Sequence, residues 1–271
     1  MMYHLPFMTG TYTTAPGLTP LRAGQKIFDI DEHYDEYIDN KNRCREEDIT
    51  KYYCESNFKD NTRKAVTNFL WTRINAEFPG KFSIGDFDHL VSQLQEDVAV
   101  VQLEGEKDWL TAIHLCSPNH WDPRTKIGRP FDGIHIPVPG IERTVRNYPV
   151  MLKMIVEKEV FTRFAWGIAT DTRLNHHPEP RPGYDPMQWR GRRMADENTE
   201  FFVRVERQNL IGLKDVNAFI FTIRTYFYKV AEFGAEEKTT LAKAINSMTA
   251  ASLEYKGMTG LKTELLSFLA K

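Results

Sequence analysis

The sequence predicts an α+β fold: an antiparallel sheet of about five strands, wrapped by helices at both ends. Three observations carry this. VFTRFAWGIA, EFFVRVERQNL and AFIFTIRTYFYKV alternate bulky apolar with polar residues at a period of two, as strands with one solvated or hydrogen-bonded face do. The continuous apolar run from Val98 to Leu103 is followed, across a GEKD turn, by WLTAIHLCS, which reads as a hairpin. Before and after these segments the apolar period is helical. The expected organisation is a single domain over 1–271, with an arm and helices at 1–95, the sheet and its insert at 96–230, and helices at 231–271.

From Met1 to about Leu21 the chain is rich in Thr, Pro and Gly without a sustained period, and reads as an extended arm. Ile30, Tyr34 and Ile38 then fall at helical spacing, with Asp31 able to cap that helix. A second helix is expected from Glu46 to Glu55. A third is expected from Thr62 to Phe78, where Val66, Phe69, Leu70 and Ile74 form a stripe and Pro79 and Gly80 end it. FDHLVSQLQEDVAVVQL changes from helix to strand part-way. Helical sequence returns from Tyr148 to Lys158. The third strand places Arg163 and Ala165 on one face and Phe164 and Trp166 on the other. The fourth places Arg204, Glu206 and Gln208 together, and the fifth Thr222, Arg224, Tyr226 and Tyr228, with GLKDVN as their turn. AEEKTTLAKAINSMTAASLEYKG and TGLKTELLSFLA read as two amphipathic helices outside the sheet.

Between the hairpin and the third strand lies CSPNHWDPRTKIGRPFDGIHIPVPG, which holds one histidine, His135, ahead of a stiff exit. Pro137 and Pro139 fix their own φ and bias Ile136 and Val138 toward extended backbone as far as Gly140. Lys126 and Arg129 place two cations just upstream, about one turn apart if the segment is helical, where they can meet the carboxylates of a bound anion. A lone histidine beside apolar sequence is more often structural than a ligand, but a single neutral imidazole is what an iron porphyrin needs. His176 and His177 are rival ligands, yet adjacent residues in extended backbone point apart; with His114 and His120 they rank below His135.

The 41% hydrophobic fraction and formal net charge of −2 are those of a soluble globular chain, with no electrostatic case for nucleic acid. The local run RPGYDPMQWRGRR sets Arg181, Arg190, Arg192 and Arg193 against Asp185; it reads as a solvated loop or as a docking point for an acidic partner or cofactor carboxylates. Cys44, Cys54 and Cys116 lack zinc or iron-sulfur spacing and suit reduced thiols. No apolar segment approaches a membrane span and MMYHLPFMTG lacks signal-peptide character, so the cytoplasm is the expected compartment.

KIGRPFDGIHIPVPG resembles the signature of the heme-dependent oxidative N-demethylase alpha subunits, and GLTPL, QLQEDVAVV and RVERQNLIGLKDVNAFIFTIRTYFYKV agree with that family in order. The resemblance implies a PAS-like sheet, heme b with His135 as iron ligand, and oxidation of a small amine with O2. Nothing in the sequence supplies a flavin or nicotinamide fingerprint, so electrons are expected from a separate flavin or iron-sulfur reductase. Given heme, Lys126 or Arg129 is expected to brace its propionates. Trp166 and Tyr226 are expected to line the pocket. Arg224 is assigned to polarise oxygen, or else to pair with Glu206, which alternatively orients the amine. Ala165 stands where the family pattern often has Asn, which leaves the amine open. The alternatives are a heme PAS gas sensor and a heme-binding or heme-free relative without catalysis.

Overall fold

The alternation in the late strands is what sets the architecture, because each strand must bury one side against helices. The computed structural model describes residues 4–158, 160–194 and 198–270; Met1 to Tyr3 of the expected arm lie outside these. The strands are β1 (Thr19–Pro20), β2 (Tyr53–Glu55), β3 (Asp97–Glu104), β4 (Lys107–His114), β5 (Phe161–Ala169), β6 (Phe202–Leu213) and β7 (Ala218–Lys229). They form one antiparallel seven-stranded sheet in the order β1-β5-β6-β7-β3-β4-β2. The five expected strands are therefore its centre, and the expected count falls short by two short edge strands. Both edges are too short to show alternation.

The helices are α1 (Tyr34–Asp48), α2 (Asp60–Glu77), α3 (Phe87–Ser92), α4 (Phe131–His135), α5 (Glu142–Glu157), α6 (Pro186–Trp189), α7 (Ala235–Asn246), α8 (Ala250–Tyr255) and α9 (Lys262–Leu269). The helix expected over Glu46–Glu55 does not form. There α1 runs on to Asp48, a single tight turn follows, and Tyr53 to Glu55 pair with β4 instead. Asp48 causes the break by accepting from the backbone N–H of Thr50. Asp31 does not cap α1; its carboxylate accepts from His33 N–H and reaches Arg224. The C-terminal region forms three helices rather than two, because Thr249 caps a new start after Ser247.

One sheet face packs on α2 and α3 through Val66, Leu70, Ile74, Leu90, Val98 and Val100, and further along on α7 to α9 through Val203, Val205, Leu241, Ile245 and Leu265. Phe7, fully buried, ties the N-terminal arm into that second cluster. The opposite face carries α5, whose Leu152, Ile155 and Val156 pack on Leu210 and Phe219. Gly212 permits this contact: a Cβ there would sit 2.4 Å from the carbonyl oxygens of both Ile155 and Val156. Each buried aliphatic in these layers contributes about 1.5–3 kcal/mol.

Candidate functional site

On the α5 side the sheet does not close onto its helices, and a cavity of about 500 Å³ remains. Its floor is the sheet face bearing Ala99, Val101, Leu210, Phe219, Phe221 and Ile223; its roof is the insert containing α4, with α5. That is the size and apolar character of a pocket for a cofactor or drug-sized ligand.

His135, the last residue of α4, lines this cavity. Its ring stacks on Phe131 with centroids 4.0 Å apart, and Nδ1 lies 2.8 Å from the Phe131 carbonyl. A carbonyl only accepts, so Nδ1 carries the proton and Nε2 keeps its lone pair. Burial pushes the imidazole down to about 4, so it is neutral near pH 7. The expected proline exit is a turn rather than an extended strut: Val138 N–H donates to the His135 carbonyl, and Pro137 and Val138 themselves form cavity wall.

Lys126 also lines the cavity, with Nζ donating to the Ile134 carbonyl at 2.9 Å. Burial, with Arg129 nearby, holds its pKa below that of a free lysine. Arg129 is exposed and not among the lining residues. The segment bearing the two is a run of turns, not a helix, so they do not share a helical face. Trp166 reaches the wall, but its ring packs edge-on to Phe7 and Tyr12.

Glu206 lies in the cavity and Arg224 does not. In the β6–β7 ladder Glu206 faces Thr225, while Arg224 faces Arg207, so the two expected partners lie on opposite sheet faces. Arg224, 1% exposed, bonds Asp31 through Nη2 at 2.7 Å and lies 3.9 Å from the Tyr37 ring centre. Tyr226 shares that far face, donating its hydroxyl to Asp29 at 2.6 Å. Glu206 accepts instead from Asn119 Nδ2 at 3.1 Å and Gln208 Nε2 at 2.9 Å.

The polar end of the cavity holds Arg163, Arg192, His120, Tyr255 and Lys256; of these, Arg192 belongs to the cationic run and His120 to the lower-ranked histidines, while Tyr255 and Lys256 carried no expectation. Arg163 stands opposite Gln208, one alternation from Ala165, which stands opposite Glu206. Arg192, from the cationic run, donates to Asn119 Oδ1 at 2.6 Å. Lys256 donates to the Trp166 carbonyl at 2.6 Å, and burial pulls it down to about 8. His120 has a left-handed backbone (φ 63°), stacks on His176 at 5.2 Å, and is driven to about 2 by burial and nearby cations, hence neutral.

The rival histidines are occupied elsewhere. His176 Nε2 meets Asp171 at 2.8 Å, and His177 points to Asp122 at 3.5 Å, so the two do diverge. Asp97, His114 and Cys116 bring three donor atoms within 4.8 Å of one another. Both oxygens of Asp97, however, accept from the backbone N–H groups of Cys116 and Ser117 at 2.8 Å, and His114 Nε2 lies 3.2 Å from Asp88. This cluster is built into the fold and is separate from the cavity lining, which contains none of its three residues.

Comparison with known families matches residues 86–266 to the model described as haem-dependent oxidative N-demethylase, alpha subunit-like. The chain belongs to this family. The matched stretch runs from the start of α3 into α9 and so contains the whole sheet centre, α4, α5 and the polar end of the cavity. The family description carries heme dependence and an oxidative reaction, and its wording as an alpha subunit implies a partner subunit. Among the described residues no helix is long and apolar enough to cross a membrane.

Proposed function

We propose that this chain holds heme b in the 500 Å³ cavity with His135 Nε2 as the iron ligand, and oxidises the N-methyl group of a small amine. The observation that carries this is the imidazole itself: neutral, fixed in the Nδ1–H tautomer by the Phe131 carbonyl, with its Nε2 lone pair uncommitted at the wall of an apolar cavity. A proximal ligand of this kind has its second ring nitrogen oriented by a backbone acceptor. The apolar floor from Ala99 to Ile223 suits a flat macrocycle, and Lys126 supplies a cation for a propionate.

Heme, when bound, supplies dioxygen activation with electrons from a separate flavin or iron-sulfur reductase, in keeping with an alpha subunit that works beside a partner. The chain's own residues do the rest. Glu206, held by Asn119 and Gln208, presents a carboxylate to the substrate amine and orients its methyl group; loss of formaldehyde from the oxidised methyl completes an N-demethylation. Cavity-facing residues take the polar role, since Arg224 and Tyr226 are committed to Asp31 and Asp29 across the sheet.

The test is an absorption spectrum of the chain expressed with ample heme. A Soret band at about one heme per chain in the wild type, lost in His135→Ala, is the expected result. Undiminished heme and an unchanged ligand-field spectrum in that variant would remove His135 from the role. Consumption of oxygen that depends on an added amine and a surrogate reductant separates catalysis from reversible gas binding.

A further inference from the structure

Among the described residues four cationic side chains line the cavity: Lys126, Arg163, Arg192 and Lys256. Three are satisfied. Lys126 donates to the Ile134 carbonyl, Arg192 to Asn119 and Lys256 to the Trp166 carbonyl. Arg163 has no hydrogen bond and no carboxylate within ion-pair distance among the described residues, and its Nε is buried without a partner. The carboxylate that most influences it is Glu206, whose two oxygens already accept from Asn119 and Gln208. A buried amine such as Lys256 can relieve its charge by giving up a proton; a guanidinium cannot. An isolated, solvent-shielded guanidinium in a pocket is stable only when something anionic completes it, and its planar fork matches a carboxylate.

Resting on the N-demethylase reading above, we propose that Arg163 receives the carboxylate of the substrate, so that the substrate class is an N-methylated amino acid rather than a simple alkylamine. The strand register supports this. Arg163 faces Gln208 and Ala165 faces Glu206, which makes Arg163 and Glu206 diagonal neighbours on one face, within reach of long side chains. A zwitterion carrying its amine and carboxylate on one carbon meets both: the ammonium against Glu206, the carboxylate against Arg163. Ala165 is the small side chain between them, and it leaves the room that a larger residue would fill. The remaining lining cations add to the preference, since Arg192 and Lys256 stand at the same end, where Glu206 is the one lining carboxylate among the described residues, while Asp108 is engaged with Phe131 N–H.

A carboxylate at Arg163 could come from the substrate or from the cofactor's own propionates, and the experiment separates the two. The full chain and its Arg163→Met and Arg163→Lys variants are expressed with heme, and heme per chain is measured from the Soret band. N,N-dimethylglycine and its isostere N,N-dimethylglycinamide, which keeps the amine and replaces the carboxylate by a neutral carboxamide, are then titrated into each by calorimetry. The expected result is binding of dimethylglycine by the wild type about 10-fold or more tighter than the amide, the loss of one charge-assisted pair. That preference disappears in Arg163→Met at unchanged heme content and survives in part in Arg163→Lys. Equal affinities in the wild type, no binding of dimethylglycine, or a preference that persists in Arg163→Met overturns the proposal. So does a wild type without preference whose heme is lost in Arg163→Met, which assigns the guanidinium to the propionates. A wild type that takes up no heme defeats the function proposed above, while calorimetry on that heme-free chain still decides this question.

Discussion

Replacing Arg224 by Met distinguishes a structural cation from a catalytic one, because the residue lies across the sheet from the cavity. Its guanidinium is 1% exposed and bonds Asp31, 17% exposed, at 2.7 Å. Removing one partner of a buried pair costs about 3–5 kcal/mol, since the other is left charged without its counterion. At about 2–4 °C per kcal/mol for a chain approaching this size, the melting point should fall on the order of 10 °C. The loss should depend on pH. Glu96 lies 1% exposed beside the same guanidinium, and burial already pushes it up to about 7 even with Arg224 drawing it down. Without Arg224 the Glu96 pKa rises further, so at pH 8 the variant loses the favourable ionisation of Glu96 as well as the partner of Asp31; near pH 5 Glu96 is protonated with or without Arg224 and only Asp31 is stranded. Urea unfolding followed by circular dichroism at pH 5 and pH 8 measures this, and Soret absorbance per folded chain reports the cavity. Heme content and amine turnover per folded molecule should stay within about 2-fold of the wild type. Intact stability with turnover abolished would refute the assignment and return Arg224 to the chemistry.

The Glu96 carboxyl itself predicts a stability profile. Raised from 4.5 to about 7 by burial, it holds a proton in the folded chain that the unfolded chain releases, so its contribution is complete below about pH 4.5 and is lost as pH rises through 7. The full swing is about 3 kcal/mol; Glu96→Gln should flatten the slope of urea midpoint against pH between 5 and 8, and an unaltered slope would exclude Glu96 as its source. Gly212→Ala presses a methyl against the carbonyls of Ile155 and Val156, so a loss of about 1–3 kcal/mol is expected, with reduced heme uptake as α5 is displaced from the cavity roof. Wild-type melting and heme content in that variant would show that α5 yields freely.

The five long strands were legible because apolar period is a local property; the extended exit expected from Pro137 and Pro139 was not, because the chain there turns back and Val138 N–H donates to the His135 carbonyl. Which faces of neighbouring strands coincide is not local. Alternation in β6 groups Glu206 with Gln208, and alternation in β7 groups Arg224 with Tyr226; only the length of the turn at Lys214–Asn217 decides whether those groups share a face. Here Leu213 pairs with Ala218, every facing pair sums to an odd number, and Glu206 meets Thr225. A turn of one residue more or less would have brought Arg224 to the cavity. The edge strands Thr19–Pro20 and Tyr53–Glu55 are too short to carry a period at all, so pairing with β5 and β4 creates them.

Arg163 was visible on its strand and even on the correct face, yet nothing nearby in the sequence marks it. Its significance lies in a partner that does not exist within the described fold. Arg224, Arg204 and Arg207 look similar in the strand pattern, but each finds acceptors in distant segments: Asp31, the Ser117 carbonyl and the Lys26 carbonyl. Burial of an arginine can be anticipated from an apolar surround; satisfaction of that arginine depends on chain segments up to 193 residues away. The cation that a folded protein leaves unsatisfied at a cavity wall is therefore the one most informative about a ligand, and it is also the one whose role the pattern of its own strand cannot disclose.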